Sequence, residues 1–227
     1  KSFPIPLPPL PTQRKIVEIL DQADALRRKR KEADEKMKRL IPARFIKMFG
    51  DPATNPMGWE VKRLGEICTF AYGKSLPERR RRSGKIPVYG SNGVIGYHDV
   101  TLSDDATIVI GRKGSVGEIN YSRHSCFPID TTYYIDKNHT KHNLVWLLYL
   151  LGFLDLRKLS LTVGVPGLNR SHAYGLEVPL PPPQTQREFS RLVEEIENQQ
   201  QAQVKEKKKL DLLFDSLMHR AFRGELV

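Results

Sequence analysis

Apolar residues recur at alternating steps of four and three in two long segments, one near each end of the 227-residue chain. This spacing is a heptad pattern, and it predicts an amphipathic helix in each segment. Both patterns are apolar at their ends and polar at their centres, over positions 27–34 and 200–207. Polar centres of this kind suit a solvent-exposed antiparallel coiled coil better than a globular helix bundle, and the predicted helices exceed the average globular length. The apolar positions expected to form the helix contact are Ile16, Leu20, Met37, Ile41, Phe189, Val193, Ile196, Leu210, Phe214 and Leu217.

The two segments are copies of one another. Residues 5–14 read IPLPPLPTQR and residues 178–187 read VPLPPPQTQR, which are identical at seven of ten positions. The register then continues for a further 35 residues at a constant offset of 173. Solenoids and propellers repeat every 20–50 residues or so, which is far shorter. The repeat therefore predicts a helical frame on either side of a different domain.

The boundaries of the two helices are also predicted by residue type. Proline disfavours helix, so each Pro-rich run predicts an extended approach to the helix that follows. Thr12 and Thr185 stand where N-caps are expected, and Glu188 completes a capping box in the second copy. Pro42 is expected to bend or interrupt the first helix near its end.

The middle of the chain has the texture of a β-rich domain. Short apolar runs alternate with glycine and proline, and one helix is predicted over 141–152. The predicted strands cover 86–89, 94–97, 106–110, 117–121 and 131–135. The fold class is therefore α+β, with a curved, mainly β domain bracketed by the two helices of the coiled coil. We divide the chain into a first helical region (1–50), a middle domain (51–177) and a second helical region (178–227).

Charge indicates a polyanionic partner. The net charge is +11, of which +6 lies in residues 1–51 and +5 in residues 52–177, while residues 178–227 are balanced. Cys68 and Cys126 form no ligand pattern and are expected to be buried free thiols in a reducing compartment. With no run of 18 apolar residues, the sequence predicts a cytoplasmic protein without a membrane partner. The chain begins at Lys1, which suggests a fragment of a longer protein.

A family resemblance rests on an ordered set of segments framed by the repeat. The segments are GWEVKRLGEIC (58–68), IPVYGSNGVIGYHD (86–99), IVIGRKGSVGEINYS (108–122), FPIDTTYYI (127–135) and LEVPLPPPQTQR (176–187). Together they resemble a target recognition domain of the specificity subunits of Type I restriction–modification systems. The flanking helices resemble the conserved regions of that family.

The resemblance implies a non-catalytic subunit that binds double-stranded DNA and reads one half of a bipartite sequence. It also implies that the helices dock modification subunits, which carry the methyl donor, and that restriction/motor subunits join the complex. The chain itself would then bind no cofactor, with methyl donor, ATP and Mg²⁺ on its partners. Because only one recognition domain is present, the resemblance suggests a half-subunit, natural or truncated, that could homodimerise through its helices.

Residue chemistry predicts where DNA would bind. Glycines at 111 and 114 let the backbone approach a ligand, and Arg112 between them can bond a guanine through two donors. Four successive arginines, 79–82, are suited to phosphate contacts, although a charged run is also typical of a solvated surface. The full set of predicted DNA-binding residues is Lys74, Ser75, Arg79, Arg80, Arg81, Arg82, Lys85, Tyr89, Ser91, Asn92, Arg112, Lys113, Ser115, Asn169 and Arg170.

Motifs of catalysis are missing from the sequence. It contains no methyltransferase amino-group motif, no Gly-rich methyl-donor loop and no Walker A sequence. Glu60 and Lys62 imitate part of a nuclease site but are expected to lie on the first strand of the middle domain. His139 and His142 lack zinc-ligand companions and are expected at the surface. Two other functions remain open: the recognition half of a single-chain restriction–methylation enzyme, and a coiled-coil adaptor that binds protein instead of DNA.

Overall fold

The structure is a computed structural model that describes residues 9–159 and 167–223. Within them the chain is α+β, as the sequence predicts. Its residues form two compact units. The helical unit comprises the described parts of Lys1–Ala43 and Val193–Val227, and the β-rich unit comprises Arg44–Leu192. Two 40-residue helices, α1 (Leu10–Phe49) and α5 (Pro183–Phe222), contribute to both units.

In the helical unit α1 and α5 run antiparallel. The Nε2 of Gln200 donates to the carbonyl of Met37 at 3.4 Å, and the Nε of Arg27 lies 3.3 Å from the Oδ1 of Asp211. Residue numbers therefore fall along one helix as they rise along the other, which confirms the predicted antiparallel pairing. Ile41, Val193 and Ile196 are buried. The remaining predicted contact positions in this unit are half-buried: Ile16, Leu20, Met37, Leu210, Phe214 and Leu217.

The predicted N-caps are wrong by three residues. Because α1 begins at Leu10 and α5 at Pro183, Thr12 and Thr185 each lie inside the first helical turn. Proline is tolerated there because the first N–H groups of a helix have no intrahelical partner. Glu188 accepts a hydrogen bond from Gln184 at 3.1 Å instead of closing a capping box. Of the two effects expected at Pro42, the interruption is wrong, since α1 continues to Phe49.

The described strands of the β-rich unit form three small sheets. The first is an antiparallel pair of β1 (Glu60–Arg63) and β9 (Glu177–Leu180). The second has the order β2 (Ala71–Tyr72), β8 (Thr132–Ile135), β5 (Thr107–Gly111), β6 (Ile119–Ser122) and is antiparallel throughout. In the third, β3 (Ile86–Gly90) pairs with β4 (Gly93–His98) and, in parallel, with β7 (Phe127–Pro128). Every strand predicted from the sequence is present within two residues of its predicted bounds.

The described part of the β-rich unit also contains three short α-helices. α2 (Leu64–Ile67) follows β1, α3 (Leu144–Leu154) follows β8, and α4 (Arg170–Tyr174) precedes β9. α3 corresponds to the helix predicted over 141–152. Its N-cap is Asn143, whose side-chain oxygen accepts a hydrogen bond from the backbone N–H of Trp146 at 3.0 Å.

Aromatic side chains form one part of the core of this unit. Phe45 and Phe49 of α1 and Phe189 of α5 are almost fully buried. Their ring centres lie 4.8 to 5.4 Å apart, and both phenylalanines of α1 meet Phe189 edge to face. Edge-to-face packing is favourable for aromatic rings beyond the area that they bury.

A buried carboxylate with a full set of partners forms another part of the core. Asp136 accepts hydrogen bonds from the hydroxyl of Ser103 at 2.8 Å and from the backbone N–H of Asn138 at 2.8 Å. Its Oδ1 also lies 2.7 Å from the Nδ1 of His139. Burial acts to raise the pKa of Asp136, but these partners outweigh it and the pKa lies below its usual value. His139 thus has an acidic companion, and the prediction of a plain surface histidine is wrong.

Candidate nucleic-acid interface

The β3–β4 turn and the β5–β6 loop lie against each other, although they belong to different sheets. Ser91 and Asn92 form the turn between β3 and β4. A Cβ placed on Gly111 would lie 3.1 Å from the carbonyl oxygen of Ser91, and one placed on Gly114 would lie 3.3 Å from the Ser91 hydroxyl. Glycine at positions 111 and 114 therefore permits the close approach of the two loops.

The β5–β6 loop is tightly closed on itself. The N–H of Gly117 donates to the carbonyl of Gly111 at 2.8 Å, and the N–H of Gly111 donates to the carbonyl of Glu118 at 2.8 Å. Gly114 and Gly117 have φ values of 76° and 73°, which side-chain-bearing residues rarely adopt. A side chain at Gly111 would overlap the carbonyl oxygen of Ser115. The loop therefore presents its side chains from a fixed backbone.

Arg112 is held at both its backbone and its side chain. Its N–H donates to the carbonyl of Thr131 at 2.9 Å, and its carbonyl accepts from the N–H of Leu168 at 2.9 Å. The guanidinium carbon lies 5.2 Å from the ring centre of Tyr72 and 5.9 Å from that of Tyr133. The guanidinium thus lies within cation–π distance of two aromatic rings, and this attraction favours its observed orientation.

Arg170 lies on the same tyrosine. Its guanidinium carbon is 5.0 Å from the ring centre of Tyr72 and 5.9 Å from that of Tyr174, and its Nη1 donates to the carbonyl of Phe70 at 3.4 Å. Within residues 9–159 and 167–223, neither Arg112 nor Arg170 forms an ion pair with a carboxylate. We call Tyr72, Arg112, Tyr133 and Arg170 the Tyr72 cluster. Its two guanidinium charges have no internal counterion in the described chain.

Tyr133 is the buried base of this cluster. It is 4% exposed, and its hydroxyl donates to the carbonyl of Leu168 at 3.1 Å. Burial and the neighbouring Tyr72 raise its pKa to about 12. Tyr133 is therefore neutral at physiological pH and adds no negative charge that would neutralise the arginines. Tyr72, by contrast, is 49% exposed, so the cluster opens to solvent through that ring.

Unpartnered polar atoms mark the same region. Among the described residues, four buried side-chain nitrogens have no hydrogen-bond partner, and three of them belong to the β-rich unit: the Nε of Arg81, the Nε of Arg112 and the Nδ2 of Asn120. Arg112 lies in the β5–β6 loop, Arg81 lies against Gly96 of β4, and Asn120 of β6 lies next to Gly93 of the β3–β4 hairpin. A buried donor without an acceptor is unfavourable and rare, so each of these atoms calls for an explanation, and hydrogen bonding to a ligand is one.

Comparison with known proteins identifies the family. The sequence model of the Type I restriction modification DNA specificity domain matches residues 1–35 and 56–211 of this chain. The chain belongs to this family. A comparison with curated proteins finds no significant match. As the family assignment implies, the specificity domain has a recognition role and is not itself an enzyme.

Solved structures share the fold of the specificity domain. A chain from a structural study of the complex assembly and conformational transition of the type I R-M system has a TM-score of 0.69 at 23% identity, over 98% of this chain and 62% of that one. The Type-I restriction-modification system S subunit from M. genitalium has a TM-score of 0.65 at 21% identity, over 94% and 61%. The HsdS subunit from Thermoanaerobacter tengcongensis has a TM-score of 0.62 at 24% identity, over 98% and 61%. The specificity domain therefore spans less than two thirds of these chains.

The arginine run of the specificity domain divides into two pairs. Arg79 and Arg80 lie in a short 3₁₀ turn, are exposed and form no ion pair with any residue that the structure describes. Arg81 instead donates from Nη1 to the carbonyl of Ile95 in β4 at 2.8 Å. Arg82 forms an ion pair with Asp99, at 2.9 Å between Nε and Oδ2. The second pair therefore fastens the loop to the β3–β4 hairpin, whereas the first pair forms no such contact in the described chain.

The other predicted residues are distributed more widely. Lys74, Ser75, Lys85 and Ser115 are exposed in loops, and Tyr89 is half-buried in β3. Lys113 is exposed and forms a bridge with Gly167. Asn169 uses its side-chain oxygen to cap α4, accepting from the N–H of Ser171 at 2.9 Å. Tyr72 and Asn120 are not among the residues predicted from the sequence. An aromatic residue just before the Gly-Lys-Ser sequence of a basic segment was the available signal for Tyr72.

The specificity domain has no metal site or membrane helix in its described part. No group of three or more potential metal ligands occurs between residues 9 and 159 or 167 and 223. No helix described there is long and apolar enough to cross a membrane. Cys68 and Cys126 are buried free thiols, as predicted, and burial raises the pKa of Cys68 to about 12. Glu60 and Lys62 lie on β1 and form an ion pair with each other at 2.6 Å.

Proposed function

We propose that this chain reads one half of a bipartite DNA sequence as the specificity component of a Type I restriction–modification complex. The observation that carries the proposal is the Tyr72 cluster, in which two arginines stack on an exposed tyrosine without a carboxylate in the described chain. Such a site attracts an anionic, hydrogen-bonding ligand, and duplex DNA has both properties. The family assignment makes DNA the expected ligand.

Arg112 is the proposed base reader. With its Nε buried against the rings, the arginine would use its two Nη groups, and this end-on fork can bond the O6 and N7 atoms of a guanine. Ser91 and Asn92 lie next to the same loop and would contact neighbouring base edges. The glycine-bounded loop fixes the position of the fork, and a fixed donor pair loses less entropy on binding.

The exposed cations around this reader are proposed to bind phosphates. Arg79 and Arg80 are the strongest candidates because their side chains have no partner in the described chain, and Lys74, Lys85 and Lys113 are also exposed. Contacts to phosphates set the position and affinity of the domain but carry no sequence information. The Nη1 of Arg170 donates to the carbonyl of Phe70, and it would have to give up this bond to contact a phosphate. We therefore propose that Arg170 holds Tyr72 in place.

The helical unit is the proposed docking surface for modification subunits. Besides the buried contact between α1 and α5, large apolar side chains remain exposed on both helices, among them Leu26 on α1 and Leu212 on α5, at 56% and 70%. Exposed apolar residues on a helix pair suit the docking of further helices. Methyl donor, ATP and Mg²⁺ would then be bound by the modification and restriction/motor subunits of a cytoplasmic complex.

A complete reader requires two recognition units, and this chain contains one. We propose that a second unit is supplied either within a longer chain or by a second copy of this chain. The test is the solution mass by light scattering, followed by duplex-DNA binding of the same sample with and without a modification subunit. A dimer of about twice 26.0 kDa that binds a spaced palindrome supports a half-subunit. Failure to bind any duplex with the modification subunit present would contradict the proposed function.

A further inference from the structure

The pairing of α1 with α5 brings a residue opposite its own repeat counterpart. Asp34 and Lys207 are separated by the repeat offset of 173 residues, and their Oδ2 and Nζ atoms lie 3.9 Å apart. In an antiparallel pair of two equivalent helices, a position meets its own counterpart only where the pseudo-two-fold axis crosses the pair. The axis therefore passes beside Asp34 and Lys207. At this point the two copies of the repeat carry opposite charges.

The charged residues next to this axis are also paired with opposite charges on the other helix. Arg27 forms an ion pair with Asp211 at 3.3 Å, and its guanidinium carbon lies 4.3 Å above the ring centre of Phe214. Arg30, whose side chain is only 19% exposed, contacts Glu206 at 3.6 Å between Nη1 and Oε2. Each of these contacts joins a cation of α1 to an acid of α5. The polar centre of the helix pair is therefore complementary between the two copies of the repeat.

The same geometry can be applied to two copies of α1. In an antiparallel α1–α1 pair, Asp34 would face Asp34 of the second copy, and Arg27 would face Lys38, which is the repeat counterpart of Asp211. In a parallel pair, Arg27, Arg30 and Asp34 would each face their own copies. Two copies of α5 would place Lys207 against Lys207. Both homotypic pairs thus replace the interhelical ion pairs with like charges or neutral residues.

We infer that the charges at positions 27, 30, 34, 206, 207 and 211 make the pairing heterotypic: α1 accepts α5 as its partner and excludes a second α1. The partner α5 belongs either to the same chain or to a second copy of this chain that exchanges helices with it. Charges beside an apolar helix contact commonly select partner and orientation in this way. The inference concerns the helices alone and does not depend on DNA binding.

A cross-linking experiment on the full chain tests which helices pair. Ala33 and its counterpart Glu206 flank the pseudo-two-fold axis, so Ala33→Cys and Glu206→Cys place a thiol there. Both variants keep the Asp34–Lys207 and Arg27–Asp211 pairs, and Glu206→Cys removes only the acid that faces Arg30. A short bis-maleimide is added to each single variant and to the double variant. The native cysteines are buried, and the wild-type chain controls for their reaction. We expect the double variant to be linked, within a chain or between chains, and Ala33→Cys alone to give no covalent dimer.

Two results would overturn the inference. One is a covalent dimer from Ala33→Cys alone in a yield similar to that of the double variant. The other is a double variant that stays unlinked.

Charge reversal tests whether the charges are the cause. Lys207→Asp places two acids at the axis, and adding Asp34→Lys restores an opposite pair in the reversed sense. We expect the single variant to lower the thermal midpoint of the helices by about 2–4 °C and the double variant to recover it. Lys208→Asp is the matched control, because it makes the same charge change at an exposed neighbour of Lys207. If Lys207→Asp and Lys208→Asp lowered the thermal midpoint equally, and Asp34→Lys did not restore it, the inference would be contradicted.

Discussion

The guanidinium carbon of Arg112 lies 5.2 Å from the ring centre of Tyr72, and the two residues lie at the ends of different strands of the same sheet. Tyr72 ends β2 and Arg112 directly follows β5, with β8 between them. The contact orients an arginine whose backbone is already bonded at its N–H and its carbonyl. A reader held in this way loses little conformational entropy when it meets a base, which favours discrimination between sequences.

Replacing the reader is expected to reduce sequence discrimination. Arg112→Ala should lower the preference for the target over random duplex by about 1–3 kcal/mol, because a bidentate guanine contact is lost. Arg112→Lys keeps the charge but not the planar fork, so we expect it to retain affinity and lose discrimination. Fluorescence anisotropy with target and random duplexes measures both. Unchanged discrimination in Arg112→Ala would remove Arg112 from the recognition surface.

Removing the ring beneath the reader is expected to have a similar but smaller effect. Tyr72→Leu should reduce discrimination by about 0.5–2 kcal/mol because the guanidinium loses its cation–π partner. Tyr72→Phe keeps the ring and is the matched control, so it should bind like the wild type. The salt dependence of binding should remain the same in both variants, because no phosphate contact is removed. If Tyr72→Phe and Tyr72→Leu were equally impaired, the hydroxyl and not the ring would be responsible.

The arginine run offers a comparison at constant charge. Replacing Arg79 and Arg80 by Gln should reduce the slope of log K against log salt by about 1.8, because each phosphate contact contributes about 0.9. The same change at Arg81 and Arg82 removes equal charge, but these side chains bond Ile95 and Asp99. We therefore expect a lower thermal midpoint there and a smaller change in slope. Equal slopes for the two double variants would show that the division of the run is wrong.

Much of this fold could be predicted from the sequence because its signals are local. Heptad spacing predicts α1 and α5, and alternating short apolar runs predict β3 to β6 and β8. The helix starts were misjudged because Thr12 and Thr185 have the side chains of N-caps, while the prolines before them are equally suited to a first helical turn. The grouping of short strands into three sheets depends on long-range pairing, such as Val88 with Phe127, which no local pattern contains.

The candidate site was only partly accessible from the sequence for the same reason. Arg112 could be recognised from its glycine-bounded turn, but its contact with Tyr72 joins residues 40 positions apart. Likewise, four adjacent arginines have equivalent patterns in the sequence, and only the position of Asp99 and of β4 separates Arg81 and Arg82 from Arg79 and Arg80. Which of these side chains are held and which are exposed therefore depends on tertiary contacts, which the local sequence does not contain.

The lowered pKa of Asp136 predicts how the stability of the protein depends on pH. Its pKa is lowered in the folded state from an ordinary value of 3.8, so the unfolded chain binds the proton more readily. Its contribution to stability is therefore fully present above about pH 5 and is lost as the pH falls through the folded pKa. Asp136→Asn should destabilise the protein at neutral pH by about 1–3 kcal/mol and weaken this acid dependence. Urea unfolding at several pH values measures both effects, and an unchanged pH profile would contradict the assignment.

The central claim is that the loops around Arg112 and Tyr72 read a DNA sequence, and selection from a randomised duplex pool tests it most directly. The chain, together with a modification subunit, would be incubated with the pool at moderate salt, and the bound DNA would be sequenced. We expect a defined sequence to be enriched by the wild type, and the enrichment to weaken at a single base position for Arg112→Ala. Bound DNA with no enriched sequence, or the same sequence and strength with Arg112→Ala, would contradict the account.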